Sequence, residues 1–170
     1  MNKPTLASIA LLLAGCASTS GGSNEQAHAQ FERLKKLDGN WVTVQEQGSQ
    51  PAGVKIRYHV IGNGSALVET MFPYGEAEMV TVYQLDGDAL VLTHYCSLGN
   101  QPHMRAEPSS EDGVIEFTCD GGTNFDPDTD THMHQVRFDL TDATHMRETW
   151  TLYEKGHPAE VAPFVLVRTW

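Results

Sequence analysis

From residue 41 onward, apolar and polar residues alternate in short runs, the two-residue period of strands with one buried face. The runs fall at 41–47, 54–61, 66–72, 77–85, 89–98, 101–107, 114–119, 132–140, 144–153 and 163–170. Between them stand "IGNGS", "LDGD", "LGNQP", "SSEDG" and "LTDAT", which supply the Gly, Asn and Asp that hairpin turns need. Ahead of them, "AHAQFERLKKLDGNW" spaces Phe31, Leu34 and Leu37 by three and predicts a short helix that stops at "DGN". About ten antiparallel strands preceded by one helix form an all-β domain, and closure into a barrel would leave no unpaired edge. No repeat or second linker interrupts residues 29–170, so they form one domain.

The first residues change the picture from fold to address. "MNKPTLASIALLLAGC" has a basic start and an apolar run from Leu6 to Leu13, shorter than the roughly 20 residues that span a bilayer. Residues 1–15 therefore read as a signal peptide. "LAGC", Leu13 to Cys16, resembles the bacterial lipobox, which implies acylation of Cys16 and cleavage before it. Ala17 in the next position implies sorting to the outer membrane, with the protein facing the periplasm. Residues 16–28 are small and polar, the composition of a tether. The expected membrane contact is through the lipid alone.

Charge excludes one class of partner. Asp and Glu total 22 against 11 Lys and Arg, which leaves no basic patch for a nucleic-acid backbone. With Cys16 assigned to lipid, Cys96 and Cys119 remain in an oxidising compartment, and both fall on inward faces. A disulfide between them is one expectation and two free thiols the other, because the 101–107 strand would stand between them.

Alternation also sorts the candidate chemistry. "THMHQVRFDL" puts His132 and His134 on the face of Val136, Phe138 and Leu140. The same test turns His94, Cys96 and Glu148 inward, with Cys119 and Glu69 as further members. His59, His103 and His145 turn outward. The three His-Met neighbours cannot each chelate copper, since neighbours on a strand point opposite ways. "DPDTD", Asp126 to Asp130, begins like an EF-hand loop, but Thr131 replaces its glycine and Arg137 its final glutamate. It reads as a solvated acidic loop.

"LDGNW", followed by the strand meander and "FVLVRTW", resembles the calycin group of lipocalin-like barrels. That resemblance implies that Gly39 and Trp41 on the first strand pack near Arg168 on the last and close the barrel base. "ALVETMFPYGEAEMVTVYQLDGDALVLTHYCSLGNQP" and "THMH" are similar to uncharacterised bacterial lipocalin-like proteins, which bring no assigned activity. The heme-binding nitrobindins share the barrel type at a distance, but their glycine-rich stretch after the first tryptophan is replaced by "WVTVQEQGSQ".

Together these features predict a binding barrel: His94, His132, His134 and Glu148 supply polarity in a cavity, and Tyr83, Met104, Phe138 and Trp150 supply its walls. The expected partner is a small apolar or amphipathic molecule. Alternatives are a metal site from His94, Cys96, His132 and His134, with or without enzymatic activity, and a structural envelope module in which the histidines and Glu148 bond to one another. No nucleophile elbow, phosphate loop or zincin motif occurs, so catalysis ranks below binding. No particular cofactor is implied.

Overall fold

The computed structural model describes residues 21–72, 75 and 77–170, with side chains described from Glu25 onward. The expected signal peptide and Cys16 lie outside the described residues. Helix α1 (Gly21–Lys35) leads into β1 (Gly39–Thr43), β2 (Lys55–Ile61), β3 (Ala66–Met71), β4 (Met79–Asp86) and β5 (Ala89–Tyr95). The order continues through β6 (Gln101–Ala106), β7 (Val114–Thr123), β8 (His132–Leu140), β9 (His145–Glu154) and β10 (His157–Thr169). Each strand pairs antiparallel with its neighbours, and β1 pairs with β10, so the sheet closes into a ten-stranded barrel. A closed antiparallel barrel with one short helix fits a calycin-like fold.

The helix plugs one end. Ala27, Gln30, Phe31 and Leu34 recur at the spacing of one helical face and are buried. Gln26 donates to the Ser109 carbonyl and Gln30 to that of Glu107, on the β6–β7 connection, while Lys35 donates to Gly64 beyond β2. α1 thus takes in residues 21–28, which composition assigns to the tether. Among the described residues no helix is long and apolar enough to cross a membrane.

Arg168 ties this end together. It pairs with Trp41 across β1 and β10, and its guanidinium lies 4.5 Å from the indole ring. It donates to the carbonyls of Lys36 at 2.6 Å, Asp38 at 2.7 Å and Ala143 at 2.8 Å. Trp41 Nε1 donates to Leu37 at 2.8 Å. Gly39 has φ +138°, and a Cβ there would sit 2.8 Å from the Arg168 guanidinium, so this approach requires glycine.

Two strands outrun their sequence signal. β7 continues past the predicted 119 through Gly121 and Gly122, because a glycine at 122 lets the main chain pass close to Gln101 and Phe125. β10 begins at His157, ahead of the predicted 163, and Pro158 sits at a bulge in the β9 pairing.

Candidate functional site

Register builds a polar belt inside the barrel. Tyr58 on β2 pairs with Glu69 on β3, Glu69 with Thr81 on β4, and Thr81 with His94 on β5. The four side chains therefore lie side by side, and all are buried. Glu148 reaches them from β9: Tyr58 donates its phenol to Glu148 Oε2 at 2.6 Å, and Trp150 Nε1 donates to Oε1 at 2.5 Å. Tyr83 donates to Glu69 Oε2 at 2.5 Å, and Thr81 Oγ1 lies 2.9 Å from His94 Nδ1. The rings of His94 and Trp150 are 4.5 Å apart, which joins the two ends of the belt.

Burial decides the charge state. Desolvation pushes the Glu69 carboxyl well above its ordinary range, and the neighbouring Glu148 charge pushes it further. Glu148 is also raised by burial, but the bonds from Tyr58, Glu69 and Trp150 pull it back. Geometry assigns the proton of this pair to Glu69: Glu148 receives a donor at each oxygen, whereas Glu69 receives Tyr83 at one oxygen and turns the other toward Glu148. Both tyrosines remain phenols, because burial first and the carboxylates second oppose their ionisation. Burial lowers His94 to about 4, so its ring is neutral.

One atom of the belt is left over. His94 Nε2 has no hydrogen-bond partner, whereas Glu69 Oε1, which no donor reaches, has the Glu148 carboxyl beside it. A buried polar group left this way costs about 1–3 kcal/mol. On the helix side of the belt, Tyr83, Phe117 and Phe138 pack edge to face at 5.7 to 6.4 Å, and Met104 is fully buried in the same core. Tyr83, Met104 and Phe138, expected as cavity walls, thus belong to a packed layer.

The predicted polar residues divide between two places. His94 and Glu148 join the belt. His132 and His134 stand at the other end of the barrel from α1, where β8 begins, and they bond to each other, with His132 Nε2 2.9 Å from His134 Nδ1. His132 is fully buried beneath Phe125, their rings 4.6 Å apart, and His134 stacks on Tyr153 at 3.9 Å. Cys119 comes within reach from β7: its sulfur and one nitrogen from each histidine lie within 4.8 Å of one another.

The structure decides between the two cysteine expectations and redraws the metal set. Cys96 and Cys119 are both free thiols. Cys96 lies past the end of β5, while Cys119 pairs with Met104 of β6, so a strand separates them. The converging thiol is Cys119 rather than Cys96, and His94 is held by Thr81 and Trp150 instead of joining His132 and His134. Sequence reasoning passed over Tyr58 and Thr81. Each alternates with buried neighbours, Tyr58 with Ile56 and Thr81 with Tyr83, which is the signal that turned His94 inward.

Other clefts are less promising. One of about 440 Å³ beside the C-terminus of α1 is lined by Arg33 and Arg168, but Arg33 is paired to Asp112 at 2.6 Å and Arg168 to main-chain carbonyls. Compared with known proteins, the chain matches no family model and no curated protein.

Proposed function

We propose that the barrel binds a small molecule, entering at the end opposite α1 and reaching the polar belt. The observation that carries this reading is the buried, unsatisfied His94 Nε2, on a strand separated from that of Glu69 only by β4. Native proteins satisfy such groups, and a ligand's polar head is one way to do so. The belt also defines the head. His94 is neutral, Glu69 holds a proton, and the Glu148 charge is already met by Tyr58 and Trp150. An uncharged donor–acceptor group, such as an alcohol or amide on an apolar body, fits this environment better than an ion.

The same proposal places the domain at the periplasmic face of the outer membrane through lipid on Cys16, as "LAGC" implies. An anchored barrel suits capture of a poorly soluble molecule.

Native mass spectrometry of the chain purified from envelopes is the test. The expected result is an organic adduct that His94→Leu releases, together with a change in Trp150 emission that is absent in Trp150→Phe. A protein without an adduct, whose emission is unmoved by envelope lipid extract, would overturn the reading. For the anchor, a diacylglyceryl mass on the mature N-terminus is expected, and Cys16→Ser should release the chain from membranes.

A further inference from the structure

The trio at the end opposite α1 is built differently from the belt, and its geometry follows from two irregularities in the sheet. β7 and β8 pair from Val114↔Asp139 as far as Thr118↔Gln135, where the ladder stops. Cys119 and His134 are the next residues on each strand. The β8–β9 register shifts between Met133 and Gln135, which makes His134 a bulged residue. The β6–β7 register shifts too: His103 pairs with Gly121 and Met104 with Cys119, which leaves Asp120 as the extra residue. Bulges re-aim side chains, and they concentrate beside functional sites. Here both strands bulge at or next to a residue of the trio, and the side chains fill the gap where the strands part.

Hydrogen bonding fixes one ring. His132 Nδ1 lies 3.0 Å from the Asp130 carbonyl, which can only accept, so Nδ1 carries the proton. Nε2 is then a bare lone pair that points at His134 Nδ1, and the Cys119 sulfur lies within 4.8 Å of one nitrogen of each ring. A ring that donates one nitrogen to a carbonyl and offers the other is oriented as metal-ligating histidines are. Cys119 meanwhile makes only a weak contact to the Gly121 carbonyl, at 3.3 Å. Aromatic rings hold both imidazoles in place, Phe125 over His132 and Tyr153 under His134.

We propose that Cys119, His132 and His134 bind a zinc ion at the end of the barrel opposite α1, with its fourth position left to water. Two imidazoles and one thiolate form a donor set that zinc accepts, and three protein ligands are the number found where a site keeps a position open. Tetrahedral ligands at zinc–nitrogen distances of about 2.0–2.1 Å stand roughly 3.3 Å apart. His132 Nε2 and His134 Nδ1 are 2.9 Å apart, so the gap between them opens by a few tenths of an ångström as the ion takes the place of the His134 Nδ1 proton, which shifts to Nε2 of the same ring. The Cys119 sulfur loses its proton to solvent on binding. The carboxylates of Asp126, Asp128 and Asp130, in the loop that leads into β8, attract the cation without being needed as ligands. The site does not depend on a molecule being bound at the belt.

The test uses the full chain, purified without chelator or histidine tag, and the metals alone. Zinc competed against a chromophoric chelator is expected to bind one per chain. Cys119→Ser and His134→Ala should each weaken it by about a hundredfold or more, while the exposed His145→Ala leaves it unchanged. Cobalt in place of zinc should give a thiolate-to-metal charge-transfer band that Cys119→Ser abolishes. Should a variant fail to fold, alkylation of the unmodified chain still decides: zinc should protect Cys119 and leave the rate at Cys96 as it was. Absence of stoichiometric zinc, binding that survives both substitutions, or equal protection of the two cysteines would overturn the proposal.

Discussion

Replacing Glu69 by glutamine and, separately, Glu148 by glutamine should have opposite effects. Glu69 is the member of the pair that keeps its proton, so glutamine reproduces its shape and its donor. It can still accept from Tyr83 through its carbonyl oxygen. Glu148 accepts from Tyr58 at one oxygen and Trp150 at the other. A glutamine there must turn its amide group toward one of those donors, which leaves a buried N–H or O–H unpaired at a cost of about 1–3 kcal/mol. The pH dependence separates the two further. Folded Glu69 holds a proton that the unfolded chain releases above the ordinary carboxylate pKa of 4.5. The folded state therefore binds more protons, and stability falls as pH rises, by about 1.4 kcal/mol per unit until the folded pair itself titrates. Glu69→Gln removes that slope. Urea unfolding at half-unit steps from pH 5 to 8 measures it. The expected result is a flatter profile and equal or greater stability at pH 7 for Glu69→Gln, and a loss for Glu148→Gln, about 2–4 °C in Tm per kcal/mol for a domain of this size. Equal losses in both, or a slope that persists in Glu69→Gln and vanishes in Glu148→Gln, would refute the assignment of the proton.

His94 works in the opposite direction. Its folded pKa is lowered from 6.5 to about 4 by burial, so the unfolded chain binds the extra proton and stability falls as pH drops from 6.5 toward 4. His94→Gln should flatten this acid limb in the same urea series, and the ring resonances of the folded protein should not titrate above pH 5. Arg168→Ala should cost about 1–3 kcal/mol, since it frees three carbonyls and uncovers Trp41. Arg168→Lys, a single point charge that cannot span all three carbonyls, should recover only part of that midpoint shift.

The strands and their buried faces were legible because alternation is a local property. Leu90, Leu92 and His94 on β5, or Met146, Glu148 and Trp150 on β9, declare a shared side without knowledge of any neighbour. What each inward group meets was not legible, since that depends on how ten strands are staggered around a closed sheet. His94 could be placed inside but not against Thr81, and Glu148 inside but not between Tyr58 and Trp150. The trio illustrates the harder case. Bulges at His134 and Asp120 break the period that the reading relies on, and they leave no mark in the spacing of the residues. Cys96 and Cys119 look equivalent by alternation; only the end of β5, just before Cys96, separates their fates.

The pairing of β1 with β10 has a kinetic consequence. The contact between Trp41 and Arg168 joins residues separated by nearly the whole domain, so the loop that must be closed is long and its entropy cost is met late. Until that seam forms, two strands stand with unpaired main-chain edges, each able to recruit a strand from another molecule. Folding of this domain should accordingly be slow and concentration-sensitive, and an escort that shields those edges until the first strand meets the last should raise its yield.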